Sequence, residues 1–297
     1  MGTWNFHRLF NEVTRNRETC LKWCEERGLL PKIMLCSEGH EMSLSLKGVT
    51  SVGTFKCQKK HVSGKSEKVS RARGSLFQDL KMPPEKLLIL IYCFVRKYGC
   101  SATVLESSSR NVITSEETVC FWFAFCRETI TAYLLKRVCD TRIGGKNCIV
   151  EVEVLKIGHR KYNIGYLKKG TNVFLMIEKK SKCFRLESLI DRSSSELLVS
   201  LIKKHVAEGS IVITDESEVF LPLSEAGYIH QMHSSCQSAS SETVLCSIKK
   251  KLAREGFRCD QFLTEYILEY LFRCECRYNE HDMFEQMLVV FKKLFPC

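Results

Sequence analysis

Hydrophobic and polar positions change their spacing along the chain, and this change divides it into segments. Residues 5–28 place apolar side chains such as Leu9 at helical spacing, and Gly28 ends the pattern. This spacing predicts a leading helix. Short runs that alternate every second residue follow over residues 31–77 and predict a small β-rich unit.

Two strongly apolar segments follow the β-rich unit. Residues 83–97 begin with two prolines and are apolar on nearly every side, which predicts an enclosed helix. Thr114 and Glu117 have the spacing of a capping box before the apolar residues 119–135, which predict a second buried helix. The two helices and their polar connector could form a helix-turn-helix DNA reader; a pair of helices that merely pack together is the alternative.

The glycine pair Gly144 and Gly145 marks a boundary, after which strand patterns dominate. Residues 148–155 alternate apolar and acidic side chains, as a half-buried strand does. The next elements are predicted in this order: strands 172–177 and 182–189, helix 193–206, strand 210–214, helix 216–225, and helices 242–254 and 261–274. This order predicts an α/β fold with a mixed sheet whose first three strands form a meander.

Composition indicates a globular protein of more than one unit. The chain has 297 residues, of which 44% are hydrophobic and 27% charged. The longest apolar run, residues 87–95, is shorter than the roughly 20 residues that span a bilayer. The N-terminus carries no basic-then-apolar leader. We therefore expect no membrane-spanning segment and no secretory leader.

The 17 cysteines are scattered, odd in number and mostly inside apolar patterns. This usage favours reduced thiols in a nuclear or cytoplasmic setting over a disulfide framework. Cys20 and Cys24, four residues apart on the leading helix, are expected to pack rather than to bind metal.

Basic residues outnumber acidic ones by 45 to 34, which gives a formal net charge of +11. Residues 47–81 hold nine Lys and Arg against two acidic residues. Such a stretch is a candidate polyanion contact, because neutralising phosphates releases counterions and supplies sequence-independent affinity. A solvated charged loop is the alternative explanation.

Two Cys-x3-His pairs lie within the β-rich unit. Cys36 with His40 and Cys57 with His61 offer two thiolates and two imidazoles, the ligand set of a closed tetrahedral zinc site. A short β-rich unit buries little core and gains folding energy from such a metal ion. The sequence therefore predicts structural Zn²⁺ here, and ordinary surface histidines are the alternative.

Four acidic residues lie on the predicted sheet, at a strand end or at the start of a late helix. Glu151 and Glu153 share one face of the first strand, Asp215 ends the fourth, and Glu242 begins a late helix. Spaced carboxylates at strand ends can hold two Mg²⁺ ions for phosphoryl transfer. Exposed strand-face glutamates, and a glutamate that favours a helix N-terminus, are the plainer explanations.

Taken as a set, several short motifs resemble Merlin-type transposases and their bacterial insertion-sequence relatives over residues 28–275. The order and spacing of the motifs carry this resemblance. They are Cys36 through Met42, the second Cys-x3-His pair, Arg73-Gly74-Ser75-Leu76-Phe77, Ile91-Tyr92, Arg160-Lys161-Tyr162-Asn163, Ile190-Asp191-Arg192-Ser193, Gly209 through Asp215, and Gly227-Tyr228-Ile229-His230.

The resemblance implies an RNase H-like DDE domain that uses two Mg²⁺ or Mn²⁺ ions to cut and join DNA ends. By position, the catalytic triad falls on Glu153, Asp215 and Glu242. The family has aspartate, usually followed by Glu-Ser, where this chain has Glu153-Val154-Leu155. The extra methylene displaces the ligating oxygens, and a misplacement of about 1 Å can cost about a hundredfold in rate. The connector before Glu242 is also shorter than is usual in the family, and Leu245 stands where an aromatic residue is typical.

Five segments follow from pattern and resemblance together. They are an N-terminal helix over residues 1–30, a zinc-ribbon-like module over 31–80, a helical DNA-binding region over 81–142, an RNase H-like transposase domain over 143–280, and a C-terminal helix over 281–297.

The sequence thus favours a transposase-derived protein that binds double-stranded DNA in the nucleus with impaired catalysis. An active transposase, a non-catalytic protein-interaction scaffold and a cytoplasmic location are the alternatives, and a homo-oligomer is compatible with each. The side chains expected to contact DNA are Lys59, Lys60, Arg71, Arg73, Arg160, Lys161, Lys249 and Lys250.

Overall fold

The computed structural model describes residues 3–47, 52–62, 66–109, 113–156, 172–189, 194–215, 217–232, 244–254 and 263–296. The chain forms two compact units. The first unit consists of Met1–Thr129 with His281–Cys297, and the second of Ile130–Glu280.

The elements of the first unit begin with a helical segment. They are α1 (Phe6–Leu9), a π-helical turn (Phe10–Thr14), α2 (Arg17–Glu26), β1 (Ser43–Ser45), β2 (Thr54–Lys56), β3 (Lys68–Ser70), α3 (Pro84–Val95), α4 (Cys100–Ser107) and the first part of α5 (Glu116–Lys136).

The second unit contains the main sheet, and the end of the chain returns to the first unit. The elements are β4 (Ile143–Gly144), β5 (Ile149–Lys156), β6 (Asn172–Glu178), β7 (Phe184–Leu189), α6 (Ser195–His205), β8 (Val206–Ala207), β9 (Ile211–Thr214), a 3-10 helix (Glu218–Leu223), β10 (Ile229–Met232), α7 (Val244–Arg254), α8 (Leu263–Tyr278) and, in the first unit, α9 (Met283–Leu294).

Aromatic side chains hold α9 within the first unit. The ring of Phe284 lies 5.3 Å from that of Trp4, 6.0 Å from that of Tyr92 and 6.4 Å from that of Trp23, measured between centroids. The Asp282 carboxylate accepts hydrogen bonds from two backbone N–H groups of α9 and from the Trp4 N–H at 2.9 Å. The core of this unit therefore needs residues from both termini.

A three-stranded antiparallel sheet, in the order β1-β2-β3, forms the β-rich unit that the alternating runs predict. The enclosed helix α3 and the buried cysteines of α2 also agree with the sequence, since Cys20 and Cys24 are each 0% exposed. Helix α4, which the sequence interpretation missed, occupies half of the segment that was predicted to be a polar connector. Its Ser and Thr residues have low helix propensity, so periodicity gave no signal there.

The second unit confirms the predicted mixed sheet with flanking helices. Its five strands run in the order β10-β9-β5-β6-β7. Strands β5, β6 and β7 form the antiparallel meander, whereas β9 pairs parallel with both β5 and β10. Helix α6 lies between β7 and β9 in the chain and supplies the crossover that a parallel strand requires.

The two faces of the central strand β5 differ in character. Val150 and Val152 point to the face that packs against α6 through Leu198 and Ile202. Because successive side chains alternate across a strand, Glu151 and Glu153 point to the opposite face. That face lies under α7, as the contacts below show. The sheet is therefore apolar on one side and partly acidic on the other.

Two local predictions differ from the structure. The helix predicted over residues 216–225 is a 3-10 helix at Glu218–Leu223, since Pro222 within it cannot donate an α-helical hydrogen bond. The fifth strand, β10, was not predicted because its polar centre and edge position leave no alternating pattern.

Candidate metal cluster and carboxylate face

The four Cys and His side chains of the two Cys-x3-His pairs come together in the first unit. One ligand atom from each of Cys36, His40, Cys57 and His61 lies within 4.8 Å of the others. Four donors bonded to one tetrahedral Zn²⁺ lie roughly 3.3–3.8 Å apart, so small side-chain rotations bring all four onto one ion. The cluster can hold a metal ion, and its donor set is the one that zinc prefers.

Local turns aim these ligands inward. The His40 N–H donates to Cys36 Sγ at 3.2 Å, and the Cys36 N–H donates to the His40 carbonyl at 2.9 Å. Gly39, with φ +77°, allows this tight turn. His61 is 7% exposed, and its buried Nε2 has no hydrogen-bond partner in the part of the chain described. An unpaired buried imidazole nitrogen is costly unless a ligand uses its lone pair.

Two carboxylates join the first Cys-x3-His pair to the segment that follows the second pair. Glu38 accepts a hydrogen bond from the Val62 N–H at 2.8 Å, just after the second pair. Glu67 accepts from the N–H and hydroxyl of Ser37 at 2.8 and 2.9 Å, within the first pair. These two bonds lower the pKa of the Glu67 carboxyl, so the carboxylate form that accepts them is favoured.

Three of the four basic residues that the sequence assigned to DNA near the cluster are exposed. Lys59 and Lys60 lie between Cys57 and His61 and are exposed, as is Arg73. These three side chains are placed where a phosphate backbone could reach them.

The structure contradicts the predicted DNA contact of Arg71. It is 0% exposed, and its guanidinium is ion-paired with Glu25 and donates to the Pro31 carbonyl at 3.0 Å and to the Val52 carbonyl at 3.4 Å. Charge alone suggested a surface role for this arginine. Its position at the end of β3, where the chain turns back against α2, makes it an internal brace instead.

The carboxylate face of the second unit consists of Glu151, Glu153 and Asp215. Parallel pairing sets Glu151 opposite Ile213, which is the last pair between β5 and β9, so Glu153 and Asp215 each lie two residues beyond it. Asp215 is exposed and follows directly after β9. Two of the three predicted triad positions, Glu153 and Asp215, thus follow the same end of the β5–β9 pairing.

Glu151 is used inside the protein. Glu151 is 3% exposed, and its Oε2 accepts a hydrogen bond from the Val244 N–H at 2.5 Å. It therefore holds the N-terminus of α7, where unpaired N–H groups favour a negative charge. Its other oxygen, Oε1, is buried without a hydrogen-bond partner among the described residues.

Glu153 is held by a lysine from the same helix. Lys249 Nζ lies 2.9 Å from Glu153 Oε1, and both side chains are about one-third exposed. Sequence reasoning assigned Lys249 to DNA because a pairing across 96 positions has no local signal. The Glu153 carboxylate is thus paired with an ammonium, and one oxygen of Glu151 accepts a hydrogen bond from a backbone N–H. Carboxylates engaged in this way do not fit a site for two divalent ions.

Three predicted site residues lie outside the residues that the structure describes: Glu242, Arg160 and Lys161. Lys250, by contrast, is described and lies exposed on α7.

A pH effect follows from Glu151. Burial raises the pKa of this carboxyl above its ordinary value, and the hydrogen bond from Val244 only partly opposes the rise. The native state therefore binds a proton that the unfolded state releases between the ordinary and the raised pKa, and stability falls as pH rises through this window. We expect Glu151→Gln, which keeps the acceptor oxygen, to flatten this decline in denaturant titrations between pH 4 and 8. An unchanged slope would contradict the assignment.

Comparisons with known proteins give the following findings. No protein-family model matches the chain, and no curated protein matches it. Among solved structures, it is similar to the HTLV-2 integrase catalytic core domain, with 15% identity over 41% of this chain and 82% of that chain, at a TM-score of 0.23. The BIV integrase catalytic core domain matches with 10% identity over 48% of this chain and 93% of that chain, at a TM-score of 0.25.

A third likeness is to the simian T-cell lymphotropic virus intasome in complex with PP2A regulatory subunit B56 gamma. It has 13% identity over 60% of this chain and 64% of that chain, at a TM-score of 0.24. Identities and TM-scores at this level assign no family to the chain, so the resemblance to Merlin-type transposases stays a prediction from the sequence. Within the described residues, no helix is both long and apolar enough to cross a bilayer.

Proposed function

We propose that this chain is a nuclear DNA-binding protein that descends from a Merlin-type transposase and no longer uses its carboxylate face for two-metal catalysis. One observation carries the proposal. Glu153 and Asp215, two of the expected triad positions, each follow the last β5–β9 pair by two residues, and the Glu153 carboxylate is paired with the ammonium of Lys249.

The strand arrangement supports the ancestry. An antiparallel meander followed by two parallel strands, in the order β10-β9-β5-β6-β7, is the arrangement of an RNase H-like sheet. Acidic residues occur on the central strand and directly after the neighbouring strand. A fold outlives its chemistry, so this support concerns descent and not present activity.

The metal cluster and its basic surroundings support DNA binding. Zn²⁺ at the Cys/His cluster would fix the second Cys-x3-His pair, and with it the exposed Lys59 and Lys60. Two lysines on a metal-fixed turn lose less conformational entropy on binding a phosphate than two lysines on a free loop. The proposed partner is double-stranded DNA, bound by a single copy or by a homo-oligomer.

The double variant Lys59→Gln, Lys60→Gln tests this role. We expect its affinity for a duplex to fall about tenfold or more at 0.1 M salt, and the slope of log affinity against log salt to shrink by about two, because two phosphate contacts are lost. Fluorescence anisotropy with a labelled duplex measures both quantities.

The matched control is Lys22→Gln with Lys203→Gln, which removes the same charge from two exposed lysines elsewhere. Equal losses of duplex affinity in both double variants would show that the effect comes from net charge alone. A wild-type chain that binds no duplex would favour the protein-interaction scaffold.

Catalysis is tested separately. Wild-type protein with Mn²⁺ or Mg²⁺ and a DNA substrate that carries terminal inverted repeats is expected to show no strand cleavage. Cleavage that Asp215→Asn abolishes would replace the proposal with an active transposase.

A further inference from the structure

We propose that Lys249 acts as an internal cation on the carboxylate face, in the place of a divalent metal ion, and that its ammonium keeps Mg²⁺ and Mn²⁺ off Glu153 and Asp215. The inference goes beyond DNA binding and rests on the proposed function only for the idea that this face once held metal ions. It predicts a property of the folded protein that can be measured without any DNA.

Two contacts dock α7 on β5. Glu151 receives the Val244 N–H, and Glu153 receives the Lys249 ammonium. Val244 and Lys249 are five residues apart on a helix, a rise of about 7.5 Å. Glu151 and Glu153 are two residues apart on a strand, a rise of about 6.7 Å. The start of α7 and the lysine in its second turn therefore both contact the acidic face of β5.

The buried end of this arrangement limits how far the lysine can move. The Val244 residue is 3% exposed and Leu245 is 2% exposed, so the first turn of α7 is packed in the second unit. The ammonium can swing into solvent, but α7 cannot slide along β5 without breaking the bond to Glu151. Lys249 therefore stays within reach of Glu153.

Two carboxylates on this side of the sheet keep oxygen atoms that no hydrogen bond from another element uses in the described part of the chain. Glu151 Oε1 is buried and has no hydrogen-bond partner among the described residues, and Asp215, which like Glu153 lies two residues beyond the last β5–β9 pair, is exposed. Oxygen ligands of this kind suit Mg²⁺ and Mn²⁺. A dication about 5 Å from an ammonium is repelled strongly enough to lose about tenfold or more in affinity, even with the screening of water.

Binding of Mn²⁺ to the full-length, zinc-loaded protein tests the proposal, with free Mn²⁺ followed by electron paramagnetic resonance. We expect no saturable site in the wild type at submillimolar Mn²⁺. Lys249→Met is expected to bind Mn²⁺ at least about tenfold more tightly, and Glu153→Gln added to Lys249→Met is expected to remove that binding. Lys250→Met, the neighbouring exposed lysine, serves as the matched control and should behave like the wild type.

Two results would overturn the proposal. One is a saturable Mn²⁺ site in the wild type that Asp215→Asn removes. The other is a folded Lys249→Met variant, checked by circular dichroism, whose Mn²⁺ affinity equals that of the wild type.

If Lys249→Met does not fold, Lys249→Gln replaces it, since glutamine keeps a hydrogen-bond donor for Glu153 and removes only the charge. Duplex binding is measured on the same preparations. If the wild type binds no DNA, the proposed function is contradicted and the Mn²⁺ proposal is not affected. If the Mn²⁺ measurements contradict the present proposal, the measured affinity for DNA still supports the proposed function.

Discussion

Replacing Cys57 with serine is expected to release the metal ion from the Cys/His cluster and to unfold the β-rich unit around it. The thiol is one of four candidate ligands, and the described core cluster around it is small: Cys36, Met42, Phe55 and Cys57, with Met34 and Val69 packed against it. A structural zinc ion supplies about 10–16 kcal/mol of apparent binding free energy at neutral pH. Without it, so small a core cannot offset the conformational entropy of the β-rich unit.

Metal content gives the first measurement. Inductively coupled plasma mass spectrometry should find about one zinc per wild-type chain and almost none in Cys57→Ser. Hydrogen exchange should then show loss of protection in β1, β2 and β3. Cys183→Ser, at an exposed cysteine in the second unit, is the matched control. Equal zinc content in Cys57→Ser and wild-type protein would disprove the ligand assignment.

Replacing Arg71 with methionine is expected to give the second largest effect. The arginine is wholly buried, and its guanidinium reaches Glu25 on α2 and two backbone carbonyls. Methionine fills a similar volume but leaves the Glu25 carboxylate and both carbonyls without this donor. Breaking a buried pair by removing one partner costs about 3–5 kcal/mol. The upper end of this range does not apply, because the Glu25 side chain is 24% exposed.

Denaturant unfolding measures the loss, and Arg73→Met provides the control two residues away. Arg73 is exposed, so its replacement should change the free energy of unfolding by less than about 0.5 kcal/mol. Similar destabilisation in both variants would show that Arg71 is not an internal brace. The pair Glu25→Met with Arg71→Met should recover part of the loss, since no buried charge is then left unpaired.

The sequence predicted those features that depend on the residue pattern of one short segment. The acidic and apolar alternation of residues 148–155 predicted β5, and the two Cys-x3-His pairs predicted the metal cluster. In both cases the spacing of a few neighbouring residues fixes which side chains share a face or a ligand shell. The mixed sheet followed from the order of such segments.

The roles of individual charges could not be predicted in the same way. Arg71 and Lys249 both belong to basic stretches, and both were assigned to DNA on that basis. One is enclosed by residues 19 to 46 positions away, and the other pairs with a carboxylate 96 positions away. Net charge describes a segment, whereas the partner of one side chain depends on the tertiary fold.

The return of α9 to the first unit affects how the protein is made. Phe284 packs against Trp4, Trp23 and Tyr92, but it leaves the ribosome long after all three. Domains generally begin to fold during synthesis in N-to-C order. Here the first unit cannot complete its aromatic core until Phe284 has been made, whereas the sheet of the second unit has all its described strands beforehand. Until then, the nascent chain carries an unfinished hydrophobic surface that a chaperone would have to cover.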